Sequence, residues 1–296
     1  MTYGPILIFI AAILWGLDGI LRRSLYGLPP ISIVFFEHLI GLVILAPFLW
    51  KAWKSERLEK KEWYALGVVA LLSGVLGTLF FTTALLKVNF IPFSVVFLIQ
   101  KLQPIFAITM AWLVLKETPT KQYWAWAVLA LVAGYFVTFP MGVVNFAEGG
   151  AHVTAAMFAL LAAIAWGSST ALSRLTLLNH SNTFITGMRF LLTVPIALLF
   201  VFALGASDSV GAVTLSQFGY LALIAFSTGM AALWIYYKGL RTTPVRIAAI
   251  VELAFPMTAV VIDYFLYGVV LHISQYLAAA VLLFAMYRIG SKQDSV

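Results

Sequence analysis

Ten mostly apolar stretches follow one another along the chain, at 4–23, 31–50, 64–86, 91–115, 122–140, 153–175, 183–204, 217–238, 244–267 and 273–290. Each approaches the roughly 20 residues that a helix needs to cross the hydrocarbon of a bilayer. The longest polar connections, "KAWKSERLEKKE", "MGVVNFAEGGAH" and "GASDSVGAVTLSQ", are too short for a separate domain. No alternating pattern of about ten residues per segment occurs, which argues against a membrane β-barrel. In lipid a backbone must satisfy its own hydrogen bonds, so the stretches predict helices. The expected fold is an all-α integral membrane protein with ten transmembrane helices.

The pattern also repeats. "ILWGLDGILRRSL" (13–25) aligns with "IAWGSSTALSRLTL" (164–177) at an offset of 151, setting Trp15-Gly16 on Trp166-Gly167. Residues 77–104 align without gaps on 229–256 at an offset of 152, pairing Gly77 with Gly229, Pro92 with Pro244, Gln100 with Glu252 and Pro104 with Pro256. Five spans per half is an odd number. The halves, 1–150 and 151–296, are therefore expected to enter the bilayer in opposite senses, as two inverted five-helix repeats. That arrangement is a transporter signature, with the substrate site near the midplane between the halves.

Composition agrees with lipid as the solvent. Of 296 residues, 63% are hydrophobic and 10% charged, and the mean hydropathy is +1.02; a soluble domain is nearer half apolar and a quarter charged. The net charge of +7 does not imply nucleic acid, because 13 of the 18 Lys and Arg fall in loops on one side and in the C-terminal tail. Arg22, Arg23 and Lys87 fall on the other side, and Lys101 and Arg189 inside spans. This bias places both termini in the cytoplasm and the protein in the plasma (inner) membrane. The N-terminal segment lacks a basic region and a small-residue cleavage site, so it reads as a retained span. With no cysteine there are no disulfides or thiolate metal sites.

The "LWG" and "AWG" of the first span and its repeat, the glycine of span three, and the run "QPIFAITMAWLVLKE" (103–117) together resemble the EamA family of the drug/metabolite transporter superfamily. The resemblance covers nearly the whole chain. It departs in the second half, where the place of Glu117 falls at Val269 and no acid ends span nine. The resemblance implies a ten-helix inverted-repeat secondary transporter of small metabolites, often amino acids or amines, often outward.

An ionisable side chain in mid-span costs on the order of 2.5–3.5 kcal/mol to insert, so each is a functional candidate. Asp18, Glu37, His38, Lys101, Arg189, Glu252 and Asp263 qualify. Glu252 leads, four residues before Pro256. The proline is expected to free Glu252's own carbonyl and bend the helix, which suits a cation or proton site in a cavity wall; pairing with Arg189 or Lys101 for packing is the alternative. Gln100 is its repeat mate, and Gln103 lies one helical step of three further on, fit for a substrate's polar groups or for interhelical bonds. Lys101 points about 100° away from Gln100 and serves substrate or gating, or pairs with Glu37.

Asp18 and Arg22, four apart, can pair along the first helix, as structure or as an outer gate. Glu37 and His38 could relay protons or form a satisfied polar cluster. Asp263 near the outer end of span nine pairs or snorkels. Trp15 and Trp166 hold equivalent places in the halves and suit stacking walls, with Tyr236, Trp234, Tyr237 and Phe81 nearby. Aromatics with an acid could also cage an ammonium group. Trp50, Trp53, Trp63, Tyr64, Tyr123 and Trp124 read as interfacial belts.

The expected function is a solute carrier working by alternating access, an exporter of small polar metabolites. Mixed charge favours amino acids, including aromatic or hydrophobic ones; a choline-like organic cation held by an aromatic cage and Glu252 is second. Protons are a candidate coupling ion, and the expected state is a monomer or a homodimer. No cofactor, metal or nucleic acid is implied. A membrane sensor or assembly subunit would call for a soluble domain. An enzyme would call for acid, histidine or metal clusters at a membrane face.

Overall fold

The structure, a computed structural model, describes residues 3–87, 96, 100, 102–118, 121–138, 140–143, 150–268 and 272–290. The order is α1 (Gly4–Arg23), α2 (Pro30–Trp53), α3 (Lys60–Val69), a π-helical stretch Ala70–Gly77, and α4 (Thr78–Lys87). Then come α5 (Gln103–Leu115), α6 (Lys121–Thr138), α7 (Gly150–Leu177) and α8 (Asn182–Ala203). The last are α9 (Ser207–Gly211), α10 (Leu215–Phe226), α11 (Met230–Leu240), α12 (Val245–Val251), α13 (Ala254–Tyr267) and α14 (Ile273–Gly290). Among the described residues there is no strand.

Among the described residues, six helical stretches are long and apolar enough to cross a membrane: Gly4–Arg23, Pro30–Trp53, Lys60–Lys87, Met157–Leu177, Asn182–Ala203 and Leu215–Leu240. Gln103–Leu115 and Trp124–Ala133 are shorter apolar helices. Large apolar side chains such as Phe265, Leu199 and Phe48 are turned outward, as a protein facing hydrocarbon needs. Trp50, Trp63, Tyr64 and Trp124 are exposed too, in keeping with an interfacial place.

Three expected spans are not uniform helices. Lys60–Lys87 passes through the π-helical stretch at its middle. The 217–238 span is broken between α10 and α11, where Ser227 (φ −121°, ψ −79°) and Gly229 (φ −88°, ψ −100°) leave helical geometry. Gly229 fits there because a Cβ would come within 2.8 Å of the Glu37 Oε1.

The 244–267 span is broken rather than bent. Pro256 has no N–H to offer the carbonyl four residues back. The expectation that this frees the Glu252 carbonyl needs correction, since the Phe255 N–H donates to it at 3.0 Å. That tighter i→i+3 turn ends α12 and starts α13. In the first half, Pro104 lies in the first turn of α5, and the Ile105 N–H bonds the Leu102 carbonyl at 3.0 Å.

Helix pairing is symmetric under exchange of the halves. α1 packs on α11 and α13, as α7 packs on α4 and α5; α2 pairs with α8, and α6 with α14. Two glycines carry the same contact. At Gly16 a Cβ would strike the Thr258 side chain at 2.6 Å and approach the Phe255 carbonyl at 3.2 Å. At Gly167 it would strike the Gln103 carbonyl at 2.6 Å and the Phe106 Cβ at 2.8 Å. Phe255 and Gln103, like Thr258 and Phe106, are 152 apart, the offset of the sequence repeat. These close approaches bring α13 and α5, with the polar groups at their starts, against α1 and α7.

Candidate functional site

The breaks in the helices converge on one cavity of about 150 Å³ between the halves. Its walls include Glu252, Gln100, Gln103, Trp15, Trp166, Tyr236, Glu37, His38, Arg189 and Asp18. The sequence candidates scattered over seven helices are thus brought together in space. Lys101 lies outside the described residues, and so does the Asp263 side chain.

Three polar networks line the cavity. In the first, Arg22 bonds Asp18 one turn back on α1, and its Nη2 donates to the Glu37 Oε2 at 2.7 Å. Arg22 also donates to the Thr82 hydroxyl at 3.3 Å, and the Thr228 hydroxyl donates to the Asp18 Oδ1 at 2.5 Å. All five residues are buried. Thr228 reaches Asp18 because it sits in the break between α10 and α11. One cation between two carboxylates, with Asp18 further bonded to Thr228 and Arg22 to Thr82, makes a largely closed unit that ties α1, α2, α4 and the α10–α11 break.

The second network belongs to Glu252. The Tyr236 hydroxyl donates to its Oε1 at 2.6 Å, and the Gln103 amide donates to its Oε2 at 2.8 Å. Both donors are neutral, so the carboxylate is held in place without a partner cation among the described residues. The pairing with Arg189 considered from sequence does not occur. The Trp15 ring packs on Tyr236 with centroids 5.0 Å apart and planes at 54°.

The third network holds Arg189. Its Nη1 donates to the Tyr237 hydroxyl at 2.9 Å, and the Ser173 hydroxyl lies 2.9 Å from the same oxygen. The Arg189 guanidinium also lies over the Tyr237 ring, 5.7 Å from its centroid. Arg189 makes no ion pair among the described residues, and its Nε is buried without a hydrogen-bond partner. The Gln100 carboxamide oxygen is buried without one as well among the described residues.

Glu37 and His38 do not act on one another. Glu37 is turned to Arg22, whereas the His38 Nδ1 bonds the Val34 carbonyl of its own helix at 2.8 Å and the ring packs 4.9 Å from Phe190. Trp166 stacks near Phe81 at 5.2 Å and donates its indole N–H to the Ser73 carbonyl in the π-helical stretch at 3.1 Å. A wide π turn commonly marks such functional places. Trp234 is not part of the cavity; it bonds Thr183 at 3.0 Å and carries the Lys238 ammonium over its ring. Thr82, Thr228 and Phe190 were not singled out from the sequence. The Ser-Thr-Gly run at 227–229 was the available signal for Thr228, as a helix breaker inside an apolar stretch.

Glu117, which ends the "QPIFAITMAWLVLKE" run, lies away from the cavity. Lys116 turns the chain with a left-handed φ of 55°, and Glu117 then bonds Arg174 of α7 and accepts the Val245 N–H at the start of α12 at 2.9 Å.

Apolar helices around a buried cavity with aromatic walls and fixed polar groups form the architecture of a membrane solute carrier. Comparison with known proteins is specific about which kind. A model of the EamA-like transporter family matches residues 2–139 and again 153–291, so the chain belongs to that family. It is 36% identical over 291 residues to the riboflavin transporter ImpX of Fusobacterium nucleatum subsp. nucleatum, covering 97% of each protein. It is 26% identical over 287 residues to the uncharacterized transporter YwfM of Bacillus subtilis, covering 96% of this chain and 92% of that one. A solved crystal structure superposes with a TM-score of 0.73 at 16% identity, covering 97% of this chain and 96% of the other, which shows a shared fold.

Proposed function

We propose that this transporter carries riboflavin or a closely similar flat, uncharged heteroaromatic solute, by alternating access around the central cavity. The observation that carries the proposal is the cavity's aromatic walls, beside which the Asp18, Glu37 and Arg22 charges are occupied among themselves. Trp15 and Trp166, only partly buried, line the cavity with Tyr236 and Phe81, and their ring faces suit a planar ligand by stacking. Asp18 and Glu37 are spent on Arg22, and Glu252 is held by two neutral donors. A solute with little charge and several hydrogen-bonding groups fits that balance. Full-length identity of 36% with a riboflavin transporter supports the same substrate class.

The proposal includes ten spans in two inverted halves, 1–150 and 151–296, with both termini in the cytoplasm of the plasma membrane. The exchange-symmetric helix pairing, the equivalent Gly16 and Gly167 contacts and the twofold match of the family model support it. Rocking of the halves would then expose the cavity to each side in turn.

Amino acids are the second reading, favoured by Glu252 and Arg189, opposite charges lining one cavity. A quenching titration separates the two. Riboflavin fluorescence should fall saturably on addition of the purified protein, through stacking on tryptophan, and excess phenylalanine or choline should not restore it. No quenching, with thermal stabilisation by phenylalanine or tryptophan, would overturn the flavin reading in favour of amino acids.

A further inference from the structure

We propose that Gln100 and Arg189 form a recognition pair for an imide edge, the O=C–N(H)–C=O run found in flavins, in 2,4-dioxopteridines such as lumazine, and in uracil and thymine. The inference deepens the flavin reading and rests in part on it. Two buried polar atoms of the cavity lack partners among the described residues, the Gln100 Oε1 and the Arg189 Nε. Gln100 is 8% exposed and Arg189 7%. A buried polar group left unpaired costs about 1–3 kcal/mol, so a cavity holding two of them is shaped for a ligand that completes both.

The chemistry of the two groups is selective. A carboxamide presents a donor and an acceptor side by side, whichever way its ends are assigned. It therefore matches an adjacent carbonyl and N–H, as the carboxamide of glutamine matches a base edge in nucleic acids. The Arg189 Nε–H supplies a second donor, and its Nη1 is already committed to Tyr237. Donor, acceptor and donor complement acceptor, donor and acceptor, which is the sequence of groups along an imide edge. A free ammonium or quaternary amine offers no acceptor for either donor and meets the like charge of Arg189. The pair therefore selects against the organic cations that Glu252 by itself would admit.

The two positions also differ from their repeat mates in the way such a role requires. Gln100 faces Glu252 in the repeat, and Arg189 faces His38. Each Glu252 oxygen accepts a bond, from Tyr236 and from Gln103, and the His38 Nδ1 bonds its own helix. The unpaired atoms thus come from one member of each repeat pair, and the ligand edge has a defined direction in the cavity.

The test uses the purified full chain and alters the ligand first, so that no variant need fold. Riboflavin and N3-methylriboflavin, whose imide N–H is replaced by a methyl group, are compared by fluorescence quenching. Lumazine, uridine and N3-methyluridine are compared by thermal shift. The methylated forms should bind roughly 10–100-fold more weakly than their parents, the range of one lost hydrogen bond to a charged or buried group. Gln100→Met should bring riboflavin and N3-methylriboflavin within about threefold of each other by weakening the parent. Arg189→Lys should weaken every imide ligand while leaving the methyl discrimination in place.

Equal binding of riboflavin and its N3-methyl form overturns the imide assignment and leaves the flavin reading standing. Binding of lumazine or uridine, with discrimination against methylation but no binding of riboflavin, supports the imide pair and overturns the flavin reading. No stabilisation by any imide ligand overturns both.

Discussion

The Tyr236 hydroxyl donates to the Glu252 carboxylate at 2.6 Å, and the two residues sit on opposite sides of the turn between α11 and α12. Tyr236 also carries the Trp15 ring at 5.0 Å. One contact therefore joins the carboxylate of the α12–α13 break to an aromatic wall on α1. A ligand stacked on Trp15 and one bonded to Glu252 would be felt by the same pair.

Tyr236→Phe keeps the ring and removes the hydroxyl. A hydrogen bond to a charged group contributes about 1.5–3 kcal/mol to stability, so Tyr236→Phe should lower the melting temperature and, by releasing the Glu252 carboxylate in the cavity wall, also weaken apparent substrate affinity. Glu252→Gln should lower flux more strongly while leaving a melting curve close to the parent. Flux measured at limiting and saturating substrate tests both. Unchanged flux in Glu252→Gln would reduce the carboxylate to packing.

Arg22 is the hub of the buried network of Asp18, Glu37, Thr82 and Thr228. Arg22→Met strands two carboxylates in the interior, and breaking a buried pair from one side costs about 3–5 kcal/mol. Thermal unfolding in detergent should shift down by many degrees. The combined change Arg22→Met, Asp18→Asn, Glu37→Gln should recover much of the loss. If the single variant melts like the parent, the network is not holding α1 to α2.

How much of this was legible in the sequence depends on how far each feature reaches. The Asp18–Arg22 pair was legible because residues four apart on a helix must be neighbours. Glu37 joining them was not, since that needs the packing of α2 on α1. The Gln100 and Glu252 device was legible from prolines at matched positions. The outcome at Glu252, a break with its carbonyl reused by Phe255, was not, because a proline only forbids one bond and leaves the replacement open. The π-helical stretch at 70–77 reads as an ordinary apolar helix in sequence. Its role as the acceptor for the Trp166 indole appears only when α7 is packed against it.

Gly167→Ala should destabilise the protein by about 1–3 kcal/mol, the usual penalty for overpacking. A methyl group there would lie 2.6 Å from the Gln103 carbonyl, a backbone atom with little room to retreat. Gly67→Ala is the control, since nothing lies within 4 Å of its Cβ position. Paired melting curves decide the point. Equal stability of the two variants would contradict the close α5–α7 approach.

Glu117 joins Arg174 and the start of α12 at the proposed cytoplasmic end of the bundle. Glu117→Gln should ease the opening of that end. The chain contains no cysteine, so Ser169→Cys in the cavity wall gives a clean reporter. Its labelling by a membrane-impermeant thiol reagent from the cytoplasmic side should be about 5-fold faster or more when Glu117→Gln is added, the effect of a shift of ~1 kcal/mol between open and closed states. Slower or unchanged labelling would place this contact outside the gating cycle.

Riboflavin counterflow in proteoliposomes tests the central claim most directly. Vesicles loaded with unlabelled riboflavin and containing the parent protein should take up labelled riboflavin saturably, and vesicles containing Glu252→Gln should do so far more slowly. Riboflavin exchange no faster than in empty vesicles, alongside saturable exchange of phenylalanine or choline by the same preparation, would contradict it.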